Sequence, residues 1–205
     1  GVSMVTLYYL RSFLQFFENL IENSSEINFE ISEELKTFFH EVLTAFASNV
    51  NVLSGDVSNT DRKTIVDGLG TAGSNYRNSI YTQGFSSNRE NLPKEDLMAF
   101  FHISKKYVDH TIAANKRADN LYHSYNLMTV DNEKEISISY LSEMLEGQVA
   151  VLSADCISSE ASLQLLDALK ESALFREDQY SYILYPNKNL PRFHDKNNSP
   201  LEKVE

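Results

Sequence analysis

Val5-Thr6-Leu7-Tyr8-Tyr9-Leu10-Arg11-Ser12-Phe13-Leu14-Gln15-Phe16-Phe17-Glu18-Asn19-Leu20-Ile21 carries the pattern on which the fold turns. Its apolar side chains recur at spacings of three and four, which is how one face of a helix reads, and only a few polar residues interrupt them. The spacing predicts a first helix over about residues 2–23. Downstream, Ser32 followed by Glu33 and Glu34 makes a helix start, with the acids facing the positive end of the helix dipole. Leu35, Phe38, Phe39, Val42, Leu43 and Phe46 then form the stripe of a second helix, expected to pair with the first. A third helix begins near Ser58 or Thr60, supported by Asp61, and continues through Ile65, Leu69, Ala72, Tyr76 and Ile80. Pro93 suits a first helical turn, and Leu97, Phe100, Phe101, Val108 and Ile112 carry a fourth helix toward Asn115. Four amphipathic helices in succession imply antiparallel packing.

Past Asn115 the pattern changes. The string Asn115-Lys116-Arg117-Ala118-Asp119-Asn120 is dense in polar groups, residues 121–128 read as helical or irregular, and a turn falls at 131–135. Ile136 to Ser139 alternate, but the alternation passes into Leu141, Met144, Leu145, Val149 and Leu152, whose spacing is helical. A fifth helix is therefore expected over about 139–153. Ser158 or Ser159 caps a sixth, through Leu163, Leu166, Leu169 and Leu174. Tyr180, Tyr182, Ile183, Leu184 and Tyr185 read as extended chain, and Pro186, Pro191 and Pro200 keep the rest of the tail irregular. The expected fold is mainly α. Antiparallel amphipathic helix pairs occupy residues 1–175, and an extended tail, 176–205, packs on them or leads into a further domain.

The chain has 205 residues, 42% of them hydrophobic, enough for one domain with a real core. With 18 Lys+Arg against 29 Asp+Glu, the net charge of −11 repels phosphate backbones and anionic headgroups, so neither nucleic acid nor a membrane surface is an expected partner. No run approaches the ~18 to 20 apolar residues that cross a bilayer. Cys156 is the only cysteine, which excludes an intrachain disulfide and points to a reducing compartment, the cytoplasm. Gly1 with helix-like spacing directly behind it leads us to expect a segment of a longer polypeptide.

Several constellations carry possible chemistry. Gly68-Leu69-Gly70-Thr71-Ala72-Gly73 matches GxGxxG, but a dinucleotide fingerprint follows a buried strand, and here a capped helical pattern precedes it. The expected reading is a helix whose small residues let a neighbour cross closely, or a kink. Asp119 falls four residues before His123, a pairing that acid–base chemistry uses and that structural hydrogen bonds use as well. His102 and His110 match no metal spacing, and HExxH, paired cysteines and an EF-hand loop are all absent from the sequence, so neither metal nor cofactor is expected. Cys156 reads as a buried small hydrophobe.

Carboxylates remain. Glu143 and Glu146 are three apart on the expected fifth helix, hence on one face, and Glu146 lies in an apolar surrounding. A buried carboxyl there would have a raised pKa and could serve as a general acid opposite a glycosidic oxygen. In Phe175-Arg176-Glu177-Asp178-Gln179-Tyr180-Ser181-Tyr182, charged, amide and aromatic side chains meet, a mixture that suits sugar hydroxyls; an ordinary ion pair with packed tyrosines explains the string equally well.

Four stretches, residues 67–77, 114–128, 142–153 and 172–193, look like family signatures. On them the chain resembles an internal segment of very large, mostly uncharacterised bacterial proteins that are similar to glycoside phosphorylases with helical-toroid domains. The resemblance implies a carbohydrate-processing enzyme in which this segment supplies paired helices of a partial α/α toroid, together with other domains of a larger chain and a carbohydrate ligand. The leading expectation is a cleft with Glu146, Asp178 and His123 in catalytic roles and Tyr122, Arg176 and Tyr182 as sugar contacts, its other wall lying outside this segment. The alternative is a noncatalytic helical scaffold that binds a protein partner through its aromatic tail. Convergence of those six side chains on one pocket separates the two.

Overall fold

The computed structural model describes residues 1–199; residues 200–205, with Pro200, lie outside it. In chain order the elements are β1 (Val2–Ser3), α1 (Met4–Glu22), β2 (Asn28–Ser32), α2 (Glu33–Ser48), a short 3-10 helix (Val50–Ser54), α3 (Asn59–Gln83), β3 (Arg89–Pro93) and α4 (Lys94–Ala114). They continue with β4 (Tyr125–Asp131), β5 (Glu135–Tyr140), α5 (Leu145–Ser153), α6 (Ser159–Glu171), β6 (Phe175–Arg176), β7 (Ser181–Tyr182) and α7 (Phe193–Lys196).

The helix starts follow the capping chemistry. Ser3, Ser32, Ser58 and Ser158 each sit in extended backbone, and each side chain accepts the amide hydrogen three residues on, at Thr6, Leu35, Asp61 and Ala161. Gly84, with φ 73°, ends α3 in a conformation that a side chain would strain. The three glycines of the GxGxxG string fall inside α3, where a Cβ on Gly68 would meet the Ala45 Cβ at 3.3 Å. The close-crossing reading thus describes Gly68, and the element directly before α3 is the 3-10 helix, not a strand. α1 packs along α4, and α2 packs along α3 rather than along α1 as expected.

The mainly-α expectation is overturned: the fold is mixed α/β, though rich in helix. Among the described residues there are three small antiparallel sheets, ordered β1-β4-β5, β2-β3 and β6-β7. The physical reason is clearest at β4 and β5. Asn132 and Glu133 take φ of 50° and 58°, left-handed backbone that turns the chain within the three-residue loop between the paired Asp131 and Glu135. The alternating Ile136 and Ile138 are then drawn into a ladder, opposite Val130 and Met128, and do not open a helix. α5 starts at Leu145 instead, which leaves Glu143 before the helix and not on one face of it with Glu146. β2 and β3 are paired across about sixty residues of chain, Phe29 opposite Leu92, and each runs directly into the cap of the next helix. Part of the tail is also strand: Phe175 pairs with Tyr182, and the Leu145 amide donates to the Leu184 carbonyl at 2.8 Å, tying the tail to the start of α5.

The main core gathers Met4, Tyr8 and Leu14 of α1, Phe101, Val108 and Ile112 of α4, Tyr122 from the segment after α4, Ala150 and Val151 of α5, Ala154, and Leu165 of α6. A smaller cluster of Leu121, Leu169 and Leu174 closes the other side. α2 contributes no fully buried residue. Between it, α1, α4 and the β2-β3 pair lies a wholly apolar hollow of ≈ 540 Å³, walled by Phe17, Phe29, Phe38, Phe39, Phe100 and Leu92 among others. α1 is apolar on its outer side as well, where Tyr9, Phe13, Phe16 and Leu20 are each at least half exposed.

Candidate functional site

A polar stretch of surface is built on the loop after α4. Asn115 ends that helix, its side-chain amide donating to the Thr111 carbonyl at 2.8 Å. The loop then folds back on itself: Lys116 bridges Tyr122, and the Arg117 amide donates to the Leu121 carbonyl at 2.8 Å. Asn120 completes the turn at φ 63°, a conformation that asparagine tolerates. From below, the fully buried Gln148 clamps the return strand. Its Oε1 accepts the Tyr122 amide at 2.8 Å, and its Nε2 donates to the carbonyls of Tyr122 at 2.8 Å and Met144 at 2.9 Å.

That clamp presents Arg117 and Asp119 outward. The guanidinium grips Asp119 through two parallel bonds, Nε to Oδ1 at 3.0 Å and Nη2 to Oδ2 at 2.7 Å, and reaches the Glu143 carboxylate at 3.5 Å. The Arg117 bond holds the Asp119 carboxyl below the usual carboxylate range, with the Leu121 amide helping. His123 is pushed the other way from charge: burial, then the positive charge of Arg117, lowers its pKa, against the pull of Asp119 and a backbone bond at Leu141. Its ring stacks on Tyr140, centroids 4.1 Å apart and planes 14° from parallel.

Two hollows share Asp119. One, of ≈ 600 Å³, is lined by Asp119, Asn120, Glu143, Gln164, Asp167, Glu171 and Ser172 together with Leu121, Ala168 and Ala173. The other, of ≈ 420 Å³, is lined by Lys116, Arg117, Asp119, His123 and Tyr140 beside Ala114 and Ala118. Amides, carboxylates and a guanidinium with an aromatic pair on the rim can hold several hydroxyls of a polar ligand at once. Among the described residues no group of three or more His, Cys, Asp or Glu side chains is placed to hold a metal ion.

The six expected site residues fall in different places. His123 lines the smaller hollow, with Asp119 turned to Arg117 instead of to it. Tyr122 is 4% exposed and packs edge-on against Tyr8 in the main core. Glu146 is exposed, not buried, and accepts the Tyr125 hydroxyl at 2.7 Å. Arg176 and Asp178 pair with each other at 2.8 Å in the β6-β7 turn, where Tyr182 leans on Phe175. Arg176 and Asp178 are thus brought together, with Tyr182 in the same hairpin but against Phe175, whereas Tyr122, His123 and Glu146 serve three separate surroundings. Sequence reasoning passed over Arg117, Tyr140, Gln164, Asp167 and Glu171 as site residues, although the polar density at 115–120 marked where to look. A scan against protein-family models finds no match for this chain, and a search of curated proteins finds none either. Among the described residues no helix is long and apolar enough to cross a membrane.

Proposed function

We propose that this chain is a sugar-contacting, noncatalytic segment of a carbohydrate-active protein, with the paired hollows around Asp119 as the contact surface. The observation that supports it is the pair of planar groups at their junction: a guanidinium fixed between two carboxylates, next to an imidazole stacked flat on a phenol. Sugar hydroxyls take bonds from such forks, and a sugar's apolar face lies against such rings. The acidic lining of the larger hollow selects neutral over anionic saccharides. No catalytic step is assigned to Glu146, Asp178 or His123. A half-buried Cys156, its thiol pushed up by burial, is consistent with work in the cytoplasm.

The test is an NMR titration of the chain with glucose, mannose and their β-linked disaccharides, reading the His123 ring signals and the Asn120 and Gln164 side-chain amides. We expect saturable shifts at all three that vanish in Asp167→Ala. A flat response across the panel overturns the reading. It would favour the second one, a noncatalytic helical scaffold, which the exposed Tyr9, Phe13, Phe16 and Leu20 of α1 support: a cluster of exposed large apolar side chains suits a protein neighbour.

A further inference from the structure

The two edges of the β1-β4-β5 sheet are finished differently. On the outer edge of β5, the Arg62 guanidinium of α3 donates to the Ile136 carbonyl at 2.6 Å, and α3 packs along that strand. The opposite edge, along β4, is covered only at its start. β1 pairs antiparallel there, Ser3 opposite Tyr125 and Val2 opposite Asn126, and the Met4 amide donates to the Ser124 carbonyl at 2.9 Å. Pairing on that side then stops, while β4 runs on to Asp131 against β5.

Antiparallel ladders alternate the side to which each residue turns its amide and carbonyl. Ser124 and, by that alternation, Asn126 bond toward β1, so Met128 and Val130 turn theirs to the same side, where no strand of the described residues lies. The Arg62 bond agrees: Ile136, opposite Val130, turns its carbonyl away from β4. The bare stretch Leu127-Met128-Thr129-Val130 holds no charge and no proline, the usual guards of an open edge, and Leu127, Met128 and Val130 are 44%, 46% and 52% exposed.

We propose that this edge of β4 seats one further length of extended polypeptide, antiparallel to β4 and collinear with β1, joined through the amino group of Gly1. The register is fixed by the pairs already made: Gly1 falls opposite Leu127, the residue before it opposite Met128, and the third before it opposite Val130. The added strand takes the free amides and carbonyls of Met128 and Val130 and covers side chains on both faces of β4. This seat is independent of the sugar-contact reading.

The test is amide hydrogen exchange on the full chain with and without a five-residue Thr-Val-Thr-Val-Thr extension at Gly1, beside a Pro-Thr-Pro-Thr-Pro extension whose prolines fall opposite Met128 and Val130, where they lack the donors that the ladder needs. With the first extension, exchange at Met128 and Val130 slows by about tenfold or more, while Leu127 and Thr129, already bonded to β5, stay as they were. The proline extension leaves all four unchanged. In Met128→Pro, which spares the β5 ladder because that amide faces outward, the extension no longer protects Val130. Equal exchange at Met128 and Val130 with and without the first extension overturns the proposal. So does protection in the unextended chain that rises with its concentration, since a second copy would then hold the edge.

Discussion

The helices of the first 114 residues and the segment from Asn115 to Ala154 are held together by opposite means. α2 meets α3 and α4 through aromatic seams, Phe38 stacked on Tyr76 at 5.0 Å, and Phe39 tilted against Phe100 at 5.1 Å and Phe46 against Tyr107 at 4.7 Å, yet none of its side chains is fully buried and an apolar hollow stays open beside it. The later segment is knotted by buried polar groups. Gln148 holds Tyr122 and Met144, Asn126 donates to Asn115 at 2.7 Å, and Ser124 accepts the Gly147 amide at 2.8 Å so closely that a Cβ on Gly147 would come within 2.2 Å of its hydroxyl. Apolar contact sets which helices meet but tolerates an unfinished fit. Buried hydrogen bonds have one correct geometry, and they place the loop that carries Arg117 and Asp119.

The sharpest way to break this contrast is Gln148→Leu. The substitution keeps bulk but strands the buried amide and carbonyl of Tyr122, each costing about 1 to 3 kcal/mol when left unpaired, so unfolding by urea should show a loss of about 2 to 6 kcal/mol. The Arg117 loop should loosen with it, read as faster exchange at the Leu121 and Tyr122 amides. Phe39→Ala probes the other region. A fully buried phenylalanine costs about 3 to 5 kcal/mol on truncation, but Phe39 is half-buried beside existing empty space, so about 1 to 2 kcal/mol is expected. If Phe39→Ala proves the more costly of the two, the polar knot is not what fixes the fold.

A smaller effect comes from pH. The folded-state pKa of His123 is lowered from its ordinary 6.5, first by burial and then by Arg117. Below the unfolded value the unfolded chain therefore binds more protons than the folded one. The corresponding stability is whole above about pH 6.5 and is lost as pH falls toward the folded pKa. The thermal midpoint should drop between pH 7.5 and 5, and His123→Phe, which keeps a ring on Tyr140, should flatten that slope. An unchanged slope in the variant would assign the pH response to other groups.

The same contrast decides how much the sequence alone could reveal. Helix starts were legible because a cap is a local event: Ser32, Ser58 and Ser158 announce themselves within three residues. β2 and β3 were not, because Phe29 gains its partner Leu92 only through tertiary folding, and five residues before a cap carry too little period of their own. Ile136 and Ile138 did show alternation, but the helical spacing beginning at Leu141 outweighed it, and with it the turn at Asn132 and Glu133 lost its meaning as a hairpin. At the site, the polar density of 115–120 was visible, whereas the partners on α6, Gln164, Asp167 and Glu171, lie on the outer side of an ordinary amphipathic helix and carry no mark of what they face. Glu146 drew attention for its apolar neighbours in sequence, but those neighbours point inward and Glu146 does not.

The smallest expected effect is at Asp178. Its carboxylate makes two bonds to Arg176, at 2.9 and 2.8 Å, and is held below the usual range by them, a geometry that in outline matches Arg117 with Asp119. The setting differs in degree: the Arg176 and Asp178 side chains are 35% and 60% exposed, against 21% and 48% for Arg117 and Asp119, so solvent screens this pair more. The hairpin has other anchors, since the Ile183 amide donates to the carbonyl of the fully buried Leu174 at 2.9 Å and Phe175 lies against Tyr182. Asp178→Ala should therefore leave the thermal midpoint unchanged and the Ile183 amide as protected as before. Asp119→Ala, by contrast, should free the Leu121 amide that its carboxylate accepts and release Arg117 toward Glu143. Equal disturbance by the two substitutions would mean that the buried polar groups beneath the Arg117 loop add nothing to how firmly such a pair is held, and the contrast drawn between the two regions would fall with it.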